Sequence, residues 1–211
     1  MPIRENPAAP AVPADLLRAY DGTATSIVSD CLDRLPGAVG LLPYHPGQAV
    51  AGTAFTVLTR SGDNAAIHRA LELARPGDVL VVDGGGDVTQ ALIGEIIAQK
   101  AIAAGLAGFA IDGAIRDVDA IRRLDLPVYA RAVTHRGPYK NGPGALNVPV
   151  CLGGMVVMPG DLILGDADGI VALSPARAAE ILPEVRAKEE HERSKIAGIR
   201  TAIAARNRQA G

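Results

Sequence analysis

The sequence predicts a layered α/β domain with a C-terminal helical extension. Three observations lead to it. Between residues 50 and 133, apolar runs of strand length alternate with segments of helical spacing. Between 148 and 173, short apolar stretches are separated by Gly, Pro and Asp, the punctuation of tight turns. From Ser174 onward the chain is charged and helix-forming. The division expected is an N-terminal arm over residues 1–12, one domain over 13–174 and a helical segment over 175–211, either solvated or laid on a neighbouring subunit.

Each element has its own signal. "ADLLRAY" and "ATSIVSDCLDRL" have helical spacing, the second with Thr23 or Thr25 as its cap. "AVAGTAFTVLTR" is rich in β-branched residues and reads as a strand. "GDNAAIHRALELA" is a helix capped by Asp63 or Asn64. "RPGDVLVVDGGG" gives a turn, a buried strand and a glycine run. "GEIIAQKAIAAG" is a helix with Gly105 just past its end. "LAGFAID" and "PVYARAV" are strands, with the short helix "RDVDAIRRLD" between them, stopped before Pro127. Residues 134–147 are loop by composition. In the final helix Pro175 suits the first position and Pro183 is expected to kink or interrupt it. "PGDVLVVDGGG" and "PGDLILGDADG" echo each other; with unmatched flanks, they read as one good way to enter a buried strand rather than as a duplication.

Composition narrows the function. The 211 residues are 48% hydrophobic but only 3% aromatic, with no Trp. The core must be Ala, Val, Ile and Leu, a poor set for stacking bases. A net charge of −2 gives no field to draw nucleic acid, which is not an expected partner. No apolar run reaches membrane-spanning length, and the N-terminal stretch lacks the apolar core of a signal peptide. Cys31 and Cys151 lack metal spacing and read as thiols in a reducing compartment, so the expected location is cytoplasmic.

The chemistry-bearing stretch is "FAIDGAIRD", a buried strand delivering Arg116 and Asp117 side by side. Such a pair can be bland: Asp117 caps the next helix and Arg116 is a surface charge. Its place just beyond a strand, where open α/β sheets form ligand crevices, argues for more. A glycine run ends the other recognisable strand and offers a second loop at the same edge. "GEII" at 94–97 opens a helix whose free N–H groups suit a carboxylate or phosphate, unless Gly94 sits inside a longer helix from Val88. Together these are parts for a metal-assisted reaction on a 2-oxo acid.

The run from "GDNAAIHRALELARPGDVLVVDGGG" through "GEIIAQKAIAAGLAGFAIDGAIRDVDAIRRLDLPVYAR" to "NVPVCLGGMVVMPGDLILGDADGIVALSP" resembles a family with two branches. One holds the 4-hydroxy-4-methyl-2-oxoglutarate and 4-carboxy-4-hydroxy-2-oxoadipate aldolases; the other holds the regulators of ribonuclease activity A. Its most specific part is "GE", then "RD" after 20 intervening residues. The resemblance implies an RraA-like sandwich of swivelling-β/β/α type, a homotrimer or dimer of trimers, and catalysis of aldol cleavage to pyruvate. It implies that Gly94, Glu95, Ile96 and Ile97 bind substrate chiefly through backbone. Arg116 also binds it, and Asp117 holds Mg²⁺ or Mn²⁺, both being catalytic. Some aldolase members carry Asp in place of Glu95. The base stays open between a metal-bound water and Glu189, Glu190 or Glu192 from a neighbour. His68 reads as a packed residue or a site residue, while His135, Lys140 and Asn141 share a basic loop. A non-catalytic ribonuclease regulator is the first alternative. An S-adenosylmethionine-dependent methyltransferase, suggested by "VVDGGGD", is the second.

Overall fold

The computed structural model describes residues 2–34, 37–47 and 49–209. The chain forms β1 (Ile3–Glu5), α1 (Ala14–Ala19), α2 (Thr25–Asp30), β2 (Leu42–Pro43), β3 (Val50–Thr59), α3 (Ala65–Leu73), β4 (Asp78–Asp83), β5 (Ala91–Ile93) and α4 (Glu95–Ala103). It continues with β6 (Gly108–Ile115), α5 (Val118–Ile121), β7 (Val128–Val133), β8 (Gly144–Leu146), β9 (Val150–Leu152), β10 (Met155–Val157), β11 (Leu162–Gly165), β12 (Ile170–Leu173) and α6 (Pro175–Gln209). The main sheet runs β1-β8-β3-β4-β6-β7-β2. β11 pairs with β3 and β12, β5 adds to β6, and β9 and β10 form a separate hairpin. The parallel heart is β3-β4-β6-β7.

Alternation along the strands divides the core into layers. Leu80 and Val82 of β4, with Phe109 and Ile111 of β6, pack against the helical layer of Ala66, Ile67, Ile97, Ala98 and Ile121. Val79, Val81 and Ala110 point to the other face and meet Val150, Leu152, Met155 and Val157 of the hairpin. A third cluster joins Leu16, Tyr20 and Val28 to β11, β12 and the start of α6. Tyr20 O–H donates to Ala178 O at 2.8 Å, and burial pushes the phenol up to about 12. The predicted sandwich and C-terminal helix are both present.

Several local expectations change. Residues 3–5, within the expected arm, form a strand parallel to β8, and β8 itself lies inside the segment read as loop. Sheet pairing at both sides overrides the glycine- and proline-rich composition there. Neither Thr23 nor Thr25 caps α2: Ala24 is the capping position, and Asp166, from a distant turn, accepts Thr25 N–H at 2.8 Å and Thr25 Oγ1–H at 2.7 Å. At α3 Asn64 holds the capping position, while Asp63 accepts Ala65 N–H. α6 runs through Pro183 without interruption, with Ile181 and Val185 buried on either side of it.

Candidate active site

The chain leaves β5, a three-residue strand, and enters α4 through Gly94. The alternative of a helix from Val88 is thereby excluded. Beside it β6 ends at Ile115, and Arg116 N–H donates to Ile93 O at 3.0 Å, which aligns the two exits. Asp117 then takes a left-handed backbone, φ 58° and ψ 36°, which Asp tolerates better than most residues. It occupies the capping position of α5, yet its side chain makes no bond to that helix. The carboxylate turns back to α4, where Oδ2 accepts Glu95 N–H at 3.1 Å. The bland reading of Asp117 as the cap of its own helix therefore fails.

Arg116 and Asp117 do not neutralise each other closely. Arg116 Nε lies 3.8 Å from Asp117 Oδ2, and the side chains are 42% and 44% exposed. An exposed pair at that range is worth little, so both groups stay available to a third partner. Gly94 is the floor beneath them. A Cβ there would stand 2.4 Å from Asp117 Oδ2 and 3.0 Å from Arg116 Cγ.

These groups border a cleft of about 80 Å³. A single water position takes roughly 10–15 Å³ on this measure, so the space suits a small acid of a few carbons. Leu92, Ile93, Gly94, Ile96, Ile97, Arg116 and Asp117 form one side. Asn64, His68, Pro138 and Lys140 form the other, brought in from α3 and the 134–143 segment. The cationic side chains at the rim and the α4 N-terminus favour an anion. Glu95 N–H is taken by Asp117 and Ile97 N–H by Gly94 O, which leaves Ile96 N–H without an acceptor among the described residues. The row of free amides expected from "GEII" is thus broken at Glu95 and Ile97. Burial, with Lys100 and Lys140, holds His68 below its usual 6.5 against the opposing pull of Glu72. The shift favours the neutral, proton-accepting form of His68.

Other expected participants lie elsewhere. The Glu95 side chain is exposed and does not line the cleft. Glu189 and Glu192 line a separate groove between α2 and α6, and Glu190 pairs with Arg193. His135 is exposed outside the lining, and Asn141 Oδ1 accepts from Arg60 at 3.1 Å. The glycine run is tied to the neighbouring strand: Gly84 and Gly86 both donate to Asp112 O at 3.1 Å. A Cβ on Gly84 would stand 2.9 Å from that oxygen, so the glycine serves close strand contact rather than a cofactor. The sequence offers Asn64 only as a helix cap, although it lies four residues before His68, one helical turn away, and shares the cleft with it.

Among the described residues no group of three or more His, Cys, Asp or Glu side chains could enclose a metal ion. Asp117 nevertheless presents a half-exposed carboxylate at the cleft. One carboxylate fits a hard cation that keeps most of its waters, the habit of Mg²⁺ rather than Zn²⁺.

The layered fold, with one small cleft bordered by strand exits, a helix N-terminus and the Arg116–Asp117 pair, defines an α/β protein with a candidate site at the ends of β5 and β6. A family model described as Aldolase/RraA, RraA-like, matches residues 25–172, and the chain belongs to that family. A relative from Halalkalibacterium halodurans, provisionally named 4-hydroxy-4-methyl-2-oxoglutarate aldolase, is 37% identical over 186 residues, which are 88% of this chain and 89% of its own. An uncharacterized protein from Pseudomonas syringae pv. tomato superposes with TM-score 0.82 at 28% identity, covering 92% of this chain and 96% of the other. Streptomyces coelicolor RraAS2, described as an unusual member of the RNase ES inhibitor RraA family, superposes with TM-score 0.79 at 28% identity, over 87% and 96%. No helix among the described residues is long and apolar enough to cross a membrane.

Proposed function

We propose that the protein is a divalent-cation-dependent lyase. Its substrate is a 4-hydroxy-2-oxo diacid of the 4-hydroxy-4-methyl-2-oxoglutarate or 4-carboxy-4-hydroxy-2-oxoadipate type. Cleavage gives pyruvate and a second 2-oxo acid, and oxaloacetate is decarboxylated as a side reaction. The observation that carries this reading is the convergence of Arg116, Asp117 and the α4 N-terminus on one small cleft. Names borne by relatives support the same chemistry.

Ile96 N–H and the α4 terminus hold the substrate's C1 carboxylate. Asp117 is the protein ligand for Mg²⁺ or Mn²⁺, which when bound supplies Lewis acidity toward the keto oxygen. His68 accepts the C4 hydroxyl proton. The O–H electron pair becomes the new C=O as the C3–C4 bond breaks, and that bond's pair moves into the C2–C3 double bond. Negative charge builds on the C2 oxygen, which Arg116 faces; protonation at C3 then gives pyruvate. Lys140 meets the distal carboxylate. Loss of CO₂ from oxaloacetate yields the same enolate.

A coupled assay for pyruvate, run on oxaloacetate and a panel of 4-hydroxy-2-oxo acids with Mg²⁺, tests this. Turnover should vanish with EDTA. Arg116→Ala should lower kcat by about 10²–10³-fold, and Asp117→Ala should remove it. Chelator-sensitive turnover at full rate in Asp117→Ala would refute the metal assignment; no pyruvate from any acid would refute the lyase. The second reading, a regulator that acts by contact, draws on the RNase-inhibitor relatives. It becomes the better one if the panel is inert.

A further inference from the structure

The segment 134–143 crosses the mouth of the cleft. A Cβ on Gly137 would stand 3.2 Å from Arg116 Nη1, and Pro138 and Lys140 line the space below. By composition this is a loop. Its bonding says more. At one end Ala91 N–H donates to Arg136 O at 2.8 Å. At the other, Tyr139 N–H donates to Gly62 O at 2.8 Å and Asn64 N–H to Tyr139 O at 3.0 Å. Immediately after Lys140, the amides of Asn141 and Gly142 both donate to Asp63 Oδ2, at 2.9 and 3.0 Å. Asp63 Oδ1 takes Ala65 N–H at 2.9 Å.

The Asp63 side chain is wholly buried, while Arg60, its ion-pair partner at 3.3 Å, is 43% exposed. Arg60 also donates to Asn141 and lies over the Tyr139 ring. Capping a helix does not require burying a charge, since an exposed Asp does it as well. Burial of a carboxylate is costly unless its oxygens are satisfied. Here one oxygen serves the start of α3, which carries Asn64 and His68, and the other serves the turn that carries Lys140. One carboxylate outside the cleft thus ties together two of the segments that wall it.

We propose that Asp63 is a positioning residue for this site. It clamps residues 137–142 as a fixed roof and sets Lys140 relative to His68, and it acts on substrate only through that lysine. The role in turnover rests on the lyase reading; the clamp does not. The test uses the full chain with Asp63→Asn, nearly isosteric but uncharged. Hydrogen exchange read by mass spectrometry should quicken at least tenfold in peptides covering 137–143 and stay unchanged in α4. In kcat/KM for oxaloacetate, Asp63→Asn should cost about tenfold in the natural background and less than twofold beside Lys140→Met, because coupled residues are not additive.

Unchanged exchange at 137–143 would overturn the clamp. An equal loss in both backgrounds would overturn the route through Lys140 while the lyase reading stood. If the unaltered protein turned over no 2-oxo acid, that reading would fall and the exchange measurement alone would decide the clamp. Should Asp63→Asn not fold, Asn141→Pro deletes one of the same amide bonds from the surface side, and faster exchange there is again required.

Discussion

At the scale of residues, the site is written partly in adjacent letters and partly across the chain. Arg116 and Asp117 are legible because they are neighbours at a strand exit. Asn64, His68 and Lys140 can be picked out as a helix cap, a packed or site histidine and a basic-loop residue, but not as neighbours, because only the β3-α3 connection and the 134–143 segment bring them to the cleft. Gly94 shows how a small residue earns its place by what it allows. Its backbone is extended and needs no glycine, but its missing side chain leaves room for Asp117 Oδ2. Gly94→Ala should spread the Arg116–Asp117 pair and lower kcat/KM by about 10²-fold, the scale of a 1 Å misplacement. The melting temperature should move by a few degrees only. Full activity in the alanine variant would show that the close approach is incidental. His68 makes a second prediction with a definite sign. Its pKa is lowered by burial and by Lys100 and Lys140, so the neutral, proton-accepting form persists to more acid pH than usual. The kcat/KM profile should therefore fall on the acid side with a midpoint below 6.5, and His68→Asn should lose that limb together with most of the rate. A midpoint above 6.5, or a limb retained in the variant, removes His68 from the proton transfer.

At the scale of elements, the periodic signals were legible and the tertiary ones were not. The two Pro-Gly-Asp turns show sequence reasoning at its most direct. Asp78 accepts Arg75 N–H and Asp161 accepts Met158 N–H, each at 2.8 Å from the residue three positions back. The same local bond starts β4 and β11, which flank β3 in opposite orientations, so the echo is shared turn chemistry. Gly105 likewise ends α4 as its spacing suggests, with φ +73° and Leu106 N–H bonded to Ala101 O. By contrast β5 and β8 have three residues each and owe their form to partners far away in sequence. The cap of α2 is the same case, since Asp166 lies 141 positions from Thr25. Asp166→Ala removes bonds to Thr25 N–H, Thr25 Oγ1 and Asp168 N–H. The loss should cost about 0.5–2 kcal/mol, as for other caps, and lower the melting temperature by roughly 2–4 °C per kcal/mol in a chain of this size. Because this turn does not line the cleft, kcat/KM should hold; a large kinetic loss would show that α2 supports the site.

At the scale of the whole molecule, the sheet was foreseeable in kind but its order was not, and α6 exceeds the body that carries it. A helix of 35 residues is about 52 Å long. A 211-residue globule has a radius of gyration near ~17 Å, or roughly 44 Å across. Only the first turns find cover, through Ala178, Ile181 and Val185. Ile196 follows Val185 by eleven residues, about three full turns, so it continues the same face. Ile199 and Ile203 extend that stripe, and the three are 47%, 52% and 54% exposed. A helix stripe that packs on its own chain and then runs on uncovered is suited to an interface. We propose that this stripe contributes to the trimer or dimer of trimers expected from the family resemblance. Covering the exposed half of each isoleucine is worth about 1 kcal/mol, so the three together shift a dissociation constant by about 10²-fold. That is too little to hold an assembly alone, and Ile199→Lys with Ile203→Lys should weaken association rather than abolish it. Sedimentation velocity across a concentration series should show the unaltered chain as an oligomer at micromolar concentration. The double variant should dissociate at concentrations tens of times higher. A monomeric unaltered chain, or a double variant with the same dissociation profile, would mean that the distal half of α6 meets only solvent.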